Sequence, residues 1–150
     1  MSQLDQSIGL KLRAAYLSFH RRAQATLAPH GLTADQFVVL SFLAEKDGVR
    51  QRDLVDATSS DSSTIGAMLK LLQERDLVER IPSDSDRRSM LVYLTSKGLD
   101  LQNRLVKVVG DIRIDLHDAV TDDAMPIVTA ALDRVAAAMQ IPANGSDDRT

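Results

Sequence analysis

The chain has 150 residues, 44% of them hydrophobic and 26% charged, with a formal net charge of −3 and no cysteine. This length and composition are typical of one folded globular domain and exclude the disordered and fibrous classes. The absence of cysteine excludes disulfides, thiolate metal sites, a cysteine nucleophile and a thiol redox switch. We expect a cytoplasmic protein without membrane attachment, because no apolar run reaches the roughly 18 residues of a membrane span and the polar N-terminal residues lack the pattern of a secretion signal.

Charge is distributed unevenly along the chain. Residues 6–34 contain four basic residues, Lys11, Arg13, Arg21 and Arg22, and no acidic residue, which gives a local charge of about +4. Residues 111–150 contain eight aspartates and three arginines, which gives about −5. Because net charge sums over faces that can meet different partners, the total does not exclude a cationic surface that binds nucleic acid.

The first helix is predicted to be apolar on two faces. Its two stripes at helical spacing contain, respectively, Ile8, Leu12, Ala15, Phe19, Ala23 and Leu27, and Leu10, Ala14 and Leu17. A helix of this kind packs between two partners. Pro29 and Gly31 then interrupt the chain, and Thr33 with Gln36 forms the pattern of a capping box that opens a second helix.

Two further helices are predicted to be joined by a short turn. The second helix of the chain ends at Asp47-Gly48, and a short amphipathic helix follows over residues 51–58. After the turn 58–60, Ser60 or Asp61 caps a helix whose inner face contains Ile65, Met68, Leu69 and Leu72. This is the helix-turn-helix pattern, in which the second helix is presented to the major groove of DNA.

A β-hairpin with a cationic tip is predicted next. Two β-prone runs, residues 77–81 and 90–95, flank a polar segment that contains a proline, residues 82–88. The predicted fold is therefore mainly α with a small β-hairpin wing.

The C-terminal part of the chain is predicted to be helical. Thr95 is placed to cap a helix that carries one apolar stripe, formed by Leu101, Leu105, Val108, Ile112 and Leu116. A last helix is predicted over residues 122–139, and the tail 141–150 is predicted to be disordered.

The hairpin carries a specific motif. Asp86 and Arg88 give Asp-x-Arg, and after three residues the sequence continues with a Val-x-Leu-Thr pattern and then a glycine, formed by Val92, Leu94, Thr95 and Gly98. With this motif and the order of the helices around it, the sequence resembles the MarR family of winged helix-turn-helix transcription regulators over residues 6–140.

The resemblance implies an arrangement of the whole chain. Residues 1–150 would form a single domain, with the winged helix-turn-helix lobe over residues 33–98 and dimerisation helices over residues 6–29 and 96–140. Such proteins are similar in being homodimers whose first and last helices interlock, which would explain a first helix with two apolar faces. We expect a repressor that binds a pseudo-palindromic duplex with half-sites about 10 bp apart.

Five residues of the candidate recognition helix are predicted to meet DNA, namely Ser62, Ser63, Thr64, Ala67 and Lys70. Short hydroxyl side chains and backbone N–H groups in a first helical turn can bind base edges and phosphates, although the same residues also serve as helix caps. Many members of the family carry an arginine near Ala67, so the resemblance implies weaker guanine recognition here. Lys70 is predicted to contact a phosphate or to solvate the helix.

In the wing, Asp86, Arg87 and Arg88 are the candidate residues. Arginines at a polar tip can enter an A·T-rich minor groove, where negative potential is concentrated, and the resemblance assigns this insertion to Arg88. Asp86 is predicted to orient Arg88 through an ion pair, because a carboxylate beside phosphates is repelled. The alternative is that these charges only keep the hairpin soluble.

A ligand pocket is predicted near Tyr16, His20 and Phe37. Tyr16 and His20 are one helical turn apart. The family resemblance implies a sensor of small, often phenolic anions that weaken DNA binding. The alternatives are that these aromatic residues form core and that the basic residues of the first helix contact phosphates.

No enzymatic function is predicted, and neither a cofactor nor a metal is expected. The chain lacks a phosphate-binding glycine loop, a His-Glu-x-x-His motif and a nucleophile elbow. Its histidines, His20, His30 and His117, are far apart in sequence. The alternative to DNA binding is a winged-helix module that binds another protein through the same surfaces.

Overall fold

The computed structural model describes residues 3, 7–85 and 88–140. The chain divides after Gly110 into two compact units. The predicted fold class is confirmed, because the described residues form mainly helices together with one small antiparallel sheet. No helix among the described residues is long and apolar enough to cross a membrane.

The described part of the first unit contains five α-helices, a 3-10 turn and three strands. In chain order these are α1 (Ile8–Leu27), the 3-10 turn (Ala28–His30), α2 (Ala34–Glu45), β1 (Val49–Arg50), α3 (Gln51–Ala57), α4 (Ser62–Glu74), β2 (Val78–Pro82), β3 (Met90–Leu94) and α5 (Ser96–Val108). The second unit contains α6 (Gly110–Val120), whose first residue still belongs to the first unit, and α7 (Met125–Ala138).

The predicted helix caps are present. The Thr33 hydroxyl accepts a hydrogen bond from the Gln36 backbone N–H at 3.0 Å, and the Gln36 side chain accepts one from the Thr33 N–H at 3.0 Å, which completes the capping box of α2. Thr95 caps α5 by accepting from the Gly98 N–H at 3.0 Å. Of the two candidates for α4, the residue that caps the helix is Asp61.

The sheet contains the predicted hairpin and one strand that the sequence analysis missed. β2 and β3 pair antiparallel from Val78 opposite Leu94 to Pro82 opposite Met90. β1 adds to the other edge of β3, with Arg50 opposite Leu91. A strand of two residues is too short to show the alternation of apolar and polar residues by which strands are recognised in a sequence.

The core of the first unit lies between α2, α3, α4, α5 and the sheet. Its most deeply buried side chains, each at most 1% exposed, include Leu40, Leu43, Leu54, Ile65, Leu69, Leu72, Val92 and Leu105. Ile65, Leu69 and Leu72 of the predicted inner face of α4 are buried, whereas Met68, the fourth predicted residue, is half-buried. Burial of these residues fixes which side of α4 remains in solvent.

The single helix predicted after Thr95 is divided in the structure. α5 ends at Val108, Val109 lies in a turn, and α6 begins at Gly110. A β-branched valine followed by a glycine is a weak helix-forming pair, which favours a break at this position. Leu101, Leu105 and Ile112 of the predicted stripe are buried, whereas Leu116 is exposed. The tail 141–150 lies outside the described residues.

Several helices expose apolar side chains. In α1 the buried residues are Ala23 and Leu27 near its C-terminus, whereas the exposed apolar side chains farther toward its N-terminus are Ile8, Leu10, Tyr16 and Phe19. No residue of α7, all of which is described, is buried within the single chain, and Ile127 is 71% exposed.

Candidate nucleic-acid interface

The exposed face of α4 carries all five residues predicted for the recognition helix. Ser62, Ser63, Thr64, Ala67 and Lys70 are described there, and Ser63 and Lys70 point out of the lobe with the other polar residues of this face. Ser63, Ala67 and Lys70 follow one another at spacings of four and three residues, which places them in one stripe along the helix. Because Ile65, Leu69 and Leu72 anchor the opposite side in the core, this stripe faces away from the protein.

The first turn of α4 is organised by Asp61. Its Oδ1 accepts from the Thr64 backbone N–H at 2.8 Å, and its Oδ2 accepts from the Thr64 hydroxyl at 2.8 Å. These hydrogen bonds, the backbone one first, hold the pKa of Asp61 below its ordinary value of 3.8. The Thr64 hydroxyl therefore belongs to the helix cap, whereas no hydrogen bond joins the Ser62 or Ser63 hydroxyl to another described residue.

The C-terminal end of α4 is tied to two neighbouring segments. Arg75 donates a hydrogen bond to the Gly31 carbonyl in the loop before α2. Lys97 of α5 donates to the Arg75 carbonyl at 3.0 Å, and the Thr95 hydroxyl donates to the Asp76 carbonyl at 2.6 Å. Asp76 adopts a left-handed conformation with φ of 59°, which short polar residues tolerate. These bonds join the C-terminal end of the recognition helix to the rest of the lobe.

The wing is the hairpin formed by β2 and β3. Its loop end is closed by a hydrogen bond from the Ser83 N–H to the Ser89 carbonyl at 2.9 Å. Arg88 is exposed at this end of the hairpin, two residues before β3 begins. The other two predicted wing residues, Asp86 and Arg87, lie outside the described residues.

A cavity of about 300 Å³ separates the wing from the helix-turn-helix. It is lined by Arg50, Gln51, Arg52, Val55, Ser62, Arg88, Ser89 and Met90. Arg50 and Arg52 were not among the site residues predicted from the sequence, because only the pairing of β1 with β3 brings them to the wing. The available signal was the alternation of two arginines around Gln51, immediately before a short helix.

A second cavity of about 340 Å³ lies between α1, α2 and α4. It is lined by Tyr16, Asp35, Val38, Val39, Thr58, Ser59, Ser60, Thr64, Ile65 and Met68. The Tyr16 ring stacks on His20, with ring centroids 5.4 Å apart and an interplanar angle of 26°. Of the three predicted pocket residues, Tyr16 lines this cavity. His20 stacks on the Tyr16 ring but does not line the cavity, and Phe37 does not line it either.

The described residues contain no group of three or more histidine and acidic side chains that could hold a metal ion. His117 Nδ1 and Asp122 Oδ1 lie 3.9 Å apart, and both side chains are exposed.

A helix-turn-helix with an exposed polar first turn, followed by a β-hairpin wing, defines the winged helix-turn-helix class. The profile of the MarR family matches residues 30–89. The HTH-type transcriptional repressor NicR of Pseudomonas putida is 33% identical over 109 residues, which cover 73% of this chain and 69% of that relative. The chain belongs to the MarR family, whose matching members are transcriptional regulators.

Solved structures of the same family agree with the fold. The transcriptional repressor CouR, bound to a 23-mer DNA duplex, has a TM-score of 0.80 at 31% identity, covering 91% of this chain and 96% of that one. BpsR of Bordetella bronchiseptica, whose DNA binding is regulated by 6-hydroxynicotinic acid, has a TM-score of 0.81 at 27% identity, covering 91% of this chain and 97% of that one.

Proposed function

We propose that this protein is a transcriptional repressor that binds a specific sequence of double-stranded DNA. The observation that carries the proposal is the position of the first turn of α4, which exposes Ser62 and Ser63 directly beside the cavity that contains Arg88. Hydroxyl groups at the start of a recognition helix can contact bases in the major groove. A cationic wing on the same side of the lobe can contact the neighbouring DNA backbone. The DNA-bound structure of the similar repressor CouR supports the same use of the lobe.

The proposed contacts divide by the part of DNA that they meet. The exposed stripe of α4, formed by Ser63, Ala67 and Lys70 together with Ser62 and Thr64, enters the major groove, where Lys70 contacts a phosphate. Arg88 enters the adjacent minor groove, accompanied by Arg87, and Asp86 orients it. Because the Ala67 side chain offers no hydrogen bond, the helix discriminates bases through small polar contacts and the fit of its backbone.

We propose that the protein acts as a homodimer on a pseudo-palindromic site. A helix of fourteen residues that buries none of them within its own chain, as α7 does, leaves an apolar side for a second copy to cover. α1 likewise exposes Ile8, Leu10 and Phe19. In this arrangement residues 33–98 form the DNA-binding lobe of one domain, and residues 6–29 and 96–140 form the dimerisation helices. Two-fold symmetry of the protein then requires two half-sites in the duplex.

A small effector is proposed to release the repressor from DNA. The cavity at Tyr16 also contains Thr64 of the α4 cap, so a molecule bound there touches the start of the recognition helix. The regulation of BpsR by an aromatic acid supports an aromatic effector. In the described lining the charged side chain is Asp35, so the aromatic part of the predicted effector suits this cavity better than its anionic part does.

Selection of random duplexes by the purified protein, read by sequencing at two salt concentrations, tests the proposed function. We expect an enriched inverted repeat. An absence of enrichment at both salt concentrations would contradict sequence-specific binding by the protein.

Arg88→Ala tests the role of the wing on the operator found in this way. We expect the variant to lose about tenfold or more in affinity at matched salt, because a charge-assisted contact contributes about 1.5–3 kcal/mol. Its thermal unfolding should match that of the parent, since Arg88 is exposed. Equal operator affinities for parent and variant would remove Arg88 from the interface.

A further inference from the structure

The cavity at the loop end of the wing is built from four parts of the fold. Arg50 ends β1, Arg52 lies in the first turn of α3, Ser62 begins α4 and Arg88 belongs to the wing. The register of the sheet explains why they meet. Arg50 lies opposite Leu91 of β3, so the start of α3 lies beside the strand that follows Arg88. The arrangement depends on tertiary pairing.

The charge of this cavity is positive. Its lining contains Arg50, Arg52 and Arg88, and no carboxylate among the described residues. Two aspartates that neighbour the lining in sequence bind backbone and hydroxyl groups instead. Asp53 accepts from the Arg50 backbone N–H at 3.3 Å, and Asp61 accepts from the N–H and the hydroxyl of Thr64. Arginine side chains that line one small cavity create a positive potential, which favours a bound anion.

The chemistry of the donors suits a phosphate group. Guanidinium groups present paired N–H donors that match phosphate oxygens, and a helix start supplies further N–H and hydroxyl donors, here from Ser62. The volume of about 300 Å³ is at the lower end of ligand pockets and leaves ample room for a phosphate group.

We propose that this cavity is a phosphate-binding site in which Arg50 and Arg52 bind one phosphate group beside Arg88, so that the phosphate joins the wing to the helix-turn-helix. The proposal rests on the proposed function where the phosphate belongs to the DNA backbone, and is independent of it where the phosphate belongs to a free oligophosphate. In both cases Arg50 and Arg52 act as phosphate ligands and carry no sequence information.

The test compares the parent with Arg50→Gln, Arg52→Gln and a control, Arg104→Gln. Arg104 is an exposed arginine of α5 outside this cavity, so the control removes the same charge elsewhere. Operator and random duplexes are titrated over a range of salt concentrations. We expect each cavity variant to bind both duplexes about tenfold more weakly. The slope of log affinity against log salt should fall in magnitude by about 0.9 for each phosphate that the variant no longer neutralises.

A second measurement identifies the source of the phosphate. Inorganic pyrophosphate is added to the DNA-free protein and followed by the width of its ³¹P resonances. Broadening in the parent and in Arg104→Gln that disappears in Arg52→Gln assigns the site to free oligophosphates as well as to DNA. A reduced salt slope without any pyrophosphate binding assigns it to the DNA backbone alone.

The proposal is overturned if both cavity variants match Arg104→Gln in affinity, salt slope and pyrophosphate broadening. Failure of the proposed function looks different. A parent that binds no duplex contradicts DNA binding, while the pyrophosphate measurement still decides whether the cavity holds a phosphate. A parent that binds neither duplex nor pyrophosphate overturns both.

Discussion

Ser63 and Thr64 carry the same functional group at neighbouring positions, but the structure gives the two hydroxyls different surroundings. The Thr64 hydroxyl donates to Asp61 at 2.8 Å, whereas no such bond to another described residue involves the Ser63 hydroxyl. The sequence left base recognition and helix capping open for both residues. The structure assigns Thr64 to the cap and leaves the Ser63 hydroxyl available to a partner.

Ser63→Ala is therefore expected to reduce discrimination between operator and random duplex by about 2–12-fold, which corresponds to about 0.5–1.5 kcal/mol for one hydrogen bond, without changing stability. Thr64→Ala should lower the free energy of unfolding by about 0.5–1.5 kcal/mol, the net contribution of one hydrogen bond. Duplex titrations and urea denaturation of both variants measure the two effects. An equal loss of affinity for operator and random duplex in Ser63→Ala would show that Ser63 contacts phosphate only.

Asp61 makes the stability of α4 dependent on pH. Its pKa is lower in the folded protein than the ordinary value of 3.8, so its contribution is fully present above that value and is lost as the pH falls through the folded pKa. We expect the difference in unfolding free energy between the parent and Asp61→Ala to be constant near neutral pH and to shrink below pH 3.8. Denaturation curves at several pH values check this. A difference that does not shrink at any acidic pH would argue against the cap.

At the scale of elements, two helical glycines have opposite surroundings. A Cβ added at Gly98 would lie 2.0 Å from the Leu77 carbonyl oxygen, so α5 packs directly against the backbone that leads into β2. A Cβ added at Gly66 would meet only the flexible end of the Gln51 side chain, at 3.4 Å. Within the protein, Gly66 of α4 has no packing requirement for glycine.

Gly98→Ala should destabilise the protein by about 1–3 kcal/mol or more, because backbone atoms have to move. Gly66→Ala should raise the unfolding free energy by up to about 1 kcal/mol through helix propensity. If close approach to DNA is the reason for this glycine, the same variant should bind operator more weakly. Thermal unfolding and duplex titration measure both effects, and a Gly66→Ala variant that binds operator as the parent does would exclude such an approach.

Elements that depend on local chemistry were predicted well from the sequence. The capping box of Thr33 and Gln36, the cap at Thr95 and the inner face of α4 follow from side chains within one or two helical turns. β1 and the division between α5 and α6 did not follow. β1 forms because its backbone pairs with that of β3. The break at Val109 reflects two neighbouring residues of low helix propensity, Val109 and Gly110, within an otherwise continuous apolar stripe.

At the scale of the whole molecule, the uncovered apolar surface of α7 and α1 predicts a dimer. A chain that ends at Asp118 lacks α7 and should be monomeric or insoluble, because one half of the proposed interface is gone. A chain that ends at Gln140 retains α7 and serves as the control. Size-exclusion chromatography with light scattering measures the masses. A soluble dimer formed by the shorter chain would contradict the proposed interface.

The class of the protein, the order of its helices and the exposed stripe of α4 could be predicted from the sequence alone, because periodicity, caps and the wing motif depend on neighbouring residues. Which distant side chains share a cavity became evident only in the folded structure. Arg50 and Arg52 line the same cavity as Arg88 because β1 pairs with β3, and Tyr16 and Thr64 line the second cavity. The proximity of such residues depends on how separate elements pack. Residues far apart in the chain form no local sequence pattern from which their proximity could be predicted.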